Sequence, residues 1–364
     1  MRVLHYYSSL DDMVDAYVSL LTKSMDGMVD SVGSPIENLV AKSQKEARQL
    51  LSDKPFDIVD IHGCWHVGDA LVARAVHKAH ARIVVTPHGQ LEPWIIRQDY
   101  WKEKMPKTLA FQKNIVTGAY AVIVMGKMEA ACMRRLCWNS RVETILNALI
   151  TETTTEKNMA KATAGIFAKV TDSNVYELMD ADCRLAMASL IKAGLAGDSR
   201  YLTNEEAESC RKLNLLSWRH ILLYAYHTKV SDTVAKGADV LRLAPPDIDV
   251  ASIPCYLPID NSGEASPTDT DIVTFTKRLY NRTADKSLTL SDMLVMAARL
   301  RQLDADEDAI VTSLSQKHLY GFTSSLMDIL RQWTRLEEGF MLTAPKHDRG
   351  AKRIDRILSL QLSI

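Results

Sequence analysis

No window of this 364-residue chain approaches the roughly 20 consecutive apolar residues that cross a bilayer, which argues against a membrane-spanning helix. Charge of one sign is also missing. Lys and Arg number 44 against 45 Asp and Glu, a net charge of −1, so there is no basic field of the kind that holds nucleic acid. The six cysteines (64, 132, 137, 183, 210, 255) contain no Cys-x-x-Cys pair and match no common zinc spacing. They read as reduced thiols of a cytoplasmic protein, with Cys132 and Cys137 as buried small hydrophobes on a sheet-covering helix. The opening Met1–Tyr7 has no apolar h-region and no small-residue cleavage site, which argues against a signal peptide. What remains is ordinary for a globular protein: 47% apolar and 24% charged, in a chain long enough for two domains.

The most informative stretch is Asp57-Ile-Val-Asp-Ile-His-Gly-Cys-Trp-His66 followed by Ile83-Val-Val-Thr-Pro-His-Gly-Gln-Leu-Glu-Pro-Trp94. Each half is a short β-branched run that stops at His-Gly, and a helical stretch, Val67–His80, separates them. That pattern predicts two parallel strands joined by a crossover helix, each presenting a histidine at its carboxyl end. Ligands of open α/β sheets bind outside those ends.

The alternation extends over residues 1–150. Strands are expected at Val3–Tyr7, Asp57–Ile61, Ile83–Thr86, Ala121–Met125 and Val142–Leu146. Helices are expected at Asp12–Thr22, Ile36–Leu51, Val67–His80, Trp101–Thr117 and Lys127–Leu136. The fold class that follows is an α/β Rossmann-like N-terminal domain, a parallel sheet with helices on both faces. The polar run Thr151–Lys157 reads as an exposed connection, and residues 151–364 as a mainly α-helical region. Its helices are expected at Tyr176–Ile191, Ala207–Thr228, Ser291–Leu303, Glu307–Leu314 and Phe322–Phe340, with Ser291 as a capping residue. An internal boundary is placed near 260–285, beside the loop-like Asp260–Asp269. His220 and His227, on a Trp/Tyr-rich segment, read as core or interface. The basic stretch Lys346–Arg356 reads as a solvated face, with contact to anionic lipid as the alternative.

Over residues 55–150 the sequence resembles the N-terminal domain of family 4 retaining glycosyltransferases, enzymes of the two-Rossmann-domain GT-B fold. The residues that carry the resemblance are His62-Gly63, Pro87-His88-Gly89-Gln90-Leu91-Glu92-Pro93-Trp94, Gly126-Lys127-Met128-Glu129 and Leu146-Asn147-Ala148. It implies a metal-independent, retaining transfer from a nucleotide-sugar donor to a glycan or polysaccharide acceptor, with no resident cofactor and no bound metal. By the same resemblance His88 is the catalytic candidate, and His62, Trp65, His66, Gly89 and Trp94 are substrate-binding candidates. Spacing alone does not make His62 and His66 a metal pair, since Gly63 follows a strand directly rather than continuing a helix.

The sequence also departs from that family. The turn after the first strand reads Ser8-Ser9-Leu10-Asp11-Asp12 in place of a glycine-rich loop, and Asp11-Asp12 suits a helix start better than a catalytic dyad. Ala148 replaces a hinge glycine. The Arg, Lys and Glu-x7-Glu set that holds the donor in the family's second domain cannot be placed in residues 151–364. Three readings stay open: a transferase with a rebuilt donor site, one half of a split enzyme whose donor site lies on a partner, or a non-catalytic descendant that binds another protein through its helical half. The acceptor implied is a glycan or lipid-linked glycan, and the location cytoplasmic or peripheral to the inner membrane face.

Overall fold

The structure, a computed structural model, describes residues 1–8, 12–30, 33–256 and 271–359. It divides into two compact units. The first is Met1–Thr171 with Pro254–Tyr256, and the second begins at Asp172. The polar stretch after Ile150 leads into a further helix of the first unit, α8 (Glu156–Asp172), so the division falls at Thr171 rather than at Ile150. The 260–270 part of the expected internal boundary lies outside the described residues.

The first unit carries a six-stranded, all-parallel sheet in the order β2-β1-β3-β4-β5-β6. Its strands are β1 (Arg2–Tyr7), β2 (Glu37–Ala41), β3 (Ile58–His62), β4 (Arg82–Thr86), β5 (Ala121–Val124) and β6 (Val142–Thr144). β3, β4 and β5 are buried along their whole length, which accounts for their β-branched, largely apolar sequences. Helices α1 (Asp12–Met25), α2 (Gln44–Asp53), α3 (Val67–Lys78), α4 (Pro93–Arg97) and α7 (Lys127–Leu136) connect or flank these strands. Between α4 and α7 the expected helix Trp101–Thr117 is present with two π-helical turns, Tyr100–Lys104 and Thr108–Gln112, interleaved with α5 (Met105–Lys107) and α6 (Lys113–Gly118).

One expected element changes type. Ile36–Leu51 is not a single helix: Glu37–Ala41 forms the edge strand β2, and α2 starts only after Ser43. The Ser43 hydroxyl accepts from the Glu46 amide (3.2 Å), and the Glu46 carboxylate accepts from the Lys42 amide (2.9 Å). The Ser43 cap and the Glu46–Lys42 bond together fix the helix start. As an edge strand, β2 is half-exposed and carries little of the apolar signal that marks its neighbours.

The described residues of the second unit form helices without strands: α9 (Ala181–Ala196), α10 (Asn204–Arg211), α11 (Leu215–His227), α12 (Ser231–Val240), α13 (Ile272–Ala284), α14 (Leu290–Arg301), α15 (Glu307–Gln316), α16 (Tyr320–Thr334) and α17 (Arg349–Ser359). Three expected helices are divided by caps. Asp180 accepts from the Cys183 amide and starts α9, detaching the short turn Val175–Leu178. Asn214 starts α11 and separates it from α10. α16 ends at Arg335 in the left-handed region, before the turn Glu338–Phe340. The cap of α14 is Thr289, not Ser291.

α9 and α12 cross with almost no separation. A Cβ placed on Gly237 would lie 1.9 Å from the Leu190 carbonyl oxygen, and one on Gly194 2.0 Å from that of Thr233. Trp218 and Tyr224 lie in this unit's core, and the Tyr224 hydroxyl donates to the Leu358 carbonyl at 2.8 Å. The basic C-terminal stretch forms α17, which buries Ala351, Ile354, Ile357 and Leu358 and exposes most of its charged residues. No helix among the described residues is long and apolar enough to cross a membrane.

Candidate active site at the carboxyl ends of the sheet

Strand order reverses direction between β1 and β3, since β1 leads outward to β2 while β3 leads the other way to β4. Such a switch point opens a crevice at the carboxyl ends. Register then decides which side chains meet there. His5 pairs with Asp60 across β1 and β3, and His62 pairs with Thr86 across β3 and β4. Because alternate residues of a strand share a face, His5, Asp60, His62 and Thr86 all project from the same side of the sheet.

They form a continuous polar array. Nδ1 of His5 lies 3.1 Å from Nε2 of His62, and Nδ1 of His62 lies 3.0 Å from Nε2 of His88. At the inner end Nε2 of His5 meets Oδ1 of Asn38 on β2 at 3.3 Å. Thr86 donates to Oδ1 of Asp60 at 2.8 Å, while Oδ2 of Asp60 has no hydrogen-bond partner. Tyr17 of α1 sets its ring edge-on to His62 and His88, and Phe167 of α8 stands beside His5. His5, Asp60 and His62 are buried, and His88 is half-exposed. Burial lowers His5 to about 4 and pushes Asp60 up to about 7. It also drives His62 well below the usual imidazole range, with His88 and His5 adding to the effect. At neutral pH the buried imidazoles are uncharged.

The two His-Gly turns are joined to one another. Gly63 (φ +93°), Trp65 (φ +75°), His88 (φ +53°) and Gly89 (φ +81°) all occupy the left-handed half of backbone space. The side chain of Gln90 packs over Gly63 and accepts from the Cys64 amide at 2.7 Å. Gly63 donates to the Thr86 carbonyl at 2.8 Å. Gln112, held by the second π-helical turn, accepts from the Trp65 amide at 2.7 Å. Glu129 of α7 receives the Leu91 and Met125 amides and so ties the β4 loop to the β5 loop.

Of the expected site residues, the structure brings His62 and His88 into direct contact. Gly89 follows His88 in the same turn. His66 caps the start of α3 at the surface, where its amide donates to Asp69 at 3.2 Å. Trp65 is turned into the core, 4% exposed, with its indole N–H on the Gln90 carbonyl. Trp94 is 61% exposed, outside the core, with its indole N–H donating to Glu92 at 3.1 Å. Asp11 lies outside the described residues; Asp12 is exposed at the start of α1. Cys132 is buried as expected, but Cys137 is exposed, since it ends α7 in the left-handed region and turns away from the sheet.

Two contributors were missed from the sequence, His5 and Asp60. The signal for both was parity: once β1 and β3 are taken as neighbours, His5, Asp60 and His62 fall on one face. An open pocket of about 430 Å³ lies nearby, lined by Ser8, Lys42, Ser43, His66 and the first turn of α3. Tyr6 also lines it, and Ser8 donates at 3.4 Å to the buried Asp69, whose carboxyl burial raises to about 7.

Comparison with known families finds one similarity, and it falls on this sheet. The family model described as a glycosyl transferase 4-like domain matches residues 32–148, from the approach to β2 to the end of the sheet. Over that span, less than half of the chain, the sheet is similar to a glycosyl transferase 4-like domain. The match takes in both His-Gly turns of this transferase-like domain and none of the helical unit. Neither curated proteins nor solved structures give a significant match.

Proposed function

We propose that the transferase-like domain forms the acceptor-side wall of a sugar-transfer cleft, with His88 at the reaction centre. The observation that supports this best is the placement of His88. It follows the carboxyl end of β4, next to the switch-point strand β3, in a left-handed turn, half-exposed, with its ring backed by the buried His62. A side chain held in a costly backbone conformation at a strand end is typical of a pre-organised site. The imidazole would orient an acceptor hydroxyl, or stabilise a departing diphosphate when protonated. Trp94 and the His66 pocket would contact the glycan. By the family resemblance the reaction is a retaining transfer, with no metal ion on the donor diphosphate, from a nucleotide sugar to a glycan or lipid-linked acceptor, in polysaccharide or cell-surface glycan assembly.

The donor half is assigned to a partner protein. Among the described residues all strands of the sheet precede Ile145, so a second parallel sheet to hold the nucleotide is not among them. The same observation favours the alternative of a non-catalytic descendant in which the helical unit binds protein.

The test is calorimetry of the purified full chain against UDP- and GDP-hexoses, with transfer to oligosaccharide acceptors followed in parallel. Saturable binding with turnover that His88→Ala abolishes, without unfolding the chain, supports the assignment of His88. Undiminished turnover in that variant removes His88 from the mechanism. Silence across the panel together with a co-purifying nucleotide-sugar-binding subunit supports the split enzyme. Silence without such a subunit supports the non-catalytic reading.

A further inference from the structure

We propose that His5, Asp60 and His62 form a buried transition-metal site, for Zn2+ in the first instance, directly beneath His88. The inference stands on these three side chains and needs no transfer chemistry. Their inward atoms are Nδ1 of His5, Nε2 of His62 and Oδ2 of Asp60. The two nitrogens are 3.1 Å apart, and the carboxylate oxygen lies 3.9 Å from the first and 3.4 Å from the second. Ligands of tetrahedral zinc, bound at about 2.0–2.2 Å, stand roughly 3.3–3.6 Å from one another. A triangle of these dimensions has a point about 2 Å from all three corners, within the range of zinc bonds.

The outward atoms are already engaged. Asn38 meets Nε2 of His5, His88 meets Nδ1 of His62, and Thr86 donates to Oδ1 of Asp60. Metal-ligating histidines and carboxylates are characteristically held in this way by a second layer of hydrogen bonds. An independent observation points to a cation at the centre. Oδ2 of Asp60, on a residue only 1% exposed, is aimed between the two imidazoles and has no hydrogen-bond partner. A buried acceptor without a partner is costly, and a metal ion supplies one. Two imidazoles and one carboxylate suit Zn2+ or Co2+, whereas Mg2+ and Ca2+ prefer an oxygen shell. Three protein ligands leave one tetrahedral position for water.

Proton positions balance simply. A bound metal needs bare nitrogens at Nδ1 of His5 and Nε2 of His62. His5 then keeps its proton on Nε2, facing Asn38. His62 carries its proton on Nδ1 and donates to Nε2 of His88, which leaves the His88 proton on Nδ1. If Asp60 holds a proton in the metal-free chain, that proton is released to solvent on binding. The metal therefore fixes the tautomer of the exposed histidine above it.

The test uses untagged full chain, stripped with chelator and then either titrated natively or refolded with ZnSO4 or CoSO4. The expected result is one equivalent of Zn2+ retained through gel filtration, and a Co2+ spectrum with tetrahedral d–d bands and no thiolate charge-transfer band. Asp60→Asn and His5→Gln should each weaken binding at least ~100-fold, while His77→Ala leaves it unchanged. Should those variants fail to fold, the wild-type 15N histidine spectrum still decides, because Zn2+ bound at Nε2 of His62 should shift that nitrogen's resonance and leave the proton on Nδ1. No metal retained by either route, binding unchanged in Asp60→Asn, a thiolate band, or unmoved His62 resonances would each overturn the proposal.

Discussion

Nε2 of His88 lies 3.0 Å from Nδ1 of His62, so an exposed histidine leans on a buried one and only one of the two facing nitrogens carries the shared proton. The pair should therefore respond asymmetrically to truncation. His62 is 3% exposed and its other nitrogen faces His5 and Asp60, so His62→Ala leaves a polar cavity and is expected to cost roughly 2–4 kcal/mol. His88→Ala removes one hydrogen bond at a half-exposed turn and should cost less than about 1.5 kcal/mol. Urea melts of the two variants measure the difference. Equal losses, or a larger one at His88, would place His88 among the structural residues.

Asp69 gives stability a pH dependence of defined sign. Its carboxyl is 2% exposed and raised by burial to about 7, against an ordinary value near 4 in the unfolded chain. The folded state therefore holds a proton that the unfolded state has lost between those two values. This contribution disfavours folding progressively from about pH 4 to pH 7 and then levels off. Asp69→Asn abolishes it while an acceptor remains for the His66 amide. Relative to the wild type, the variant should gain roughly 1–3 kcal/mol between pH 4 and pH 7.5. A flat difference over that range would show that the carboxyl is solvated.

Glycine has opposite meanings in two helices. Gly237→Ala drives a methyl into the Leu190 carbonyl and should cost at least roughly 3 kcal/mol as α9 and α12 separate. Gly165 of α8 is exposed with nothing within 4 Å of its virtual Cβ, so Gly165→Ala should stabilise by about 0.5–1 kcal/mol. Thermal melts of the two variants should move in opposite directions.

Arg219 and Asp172 form a bidentate pair in the second unit, 2.5 and 3.0 Å, with both side chains almost fully buried. Arg219→Ala strands the carboxylate and should cost roughly 3–5 kcal/mol. The double variant Arg219→Met/Asp172→Leu should recover most of that loss, because neither charge then needs a partner. A double variant no better than Arg219→Ala would mean that the pair supplies more than mutual neutralisation.

The sheet was legible because β1, β3, β4 and β5 are mostly buried and rich in apolar residues. β2 was not, since Glu37, Asn38 and Leu39 sit at a half-exposed edge where the pattern that marks a strand is diluted. The Ser43/Glu46 cap was the local clue, and it outweighed the helical reading of Ile36–Leu51. Within the site, His62 and His88 were legible from their Gly partners. His5 and Asp60 were hidden inside strands that read as core, and only strand order brings them to His62. Trp65 could be named but not oriented, because its inward turn depends on Gln112, which is 47 residues away.

Arg82 determines where the first unit can be cut. Buried at the start of β4, it donates to the carbonyls of Val170 and Thr171, the last turn of α8, and lies 4.9 Å from the Tyr120 ring. Tyr256 also returns to this unit, donating to Glu143 at 3.0 Å beneath the ammonium of Lys169. A chain truncated at Ile150 would therefore strand a buried guanidinium and strip Phe167 from His5. The independently expressible piece is discontinuous in sequence, and limited proteolysis should spare α8 while the polar run before it is cut.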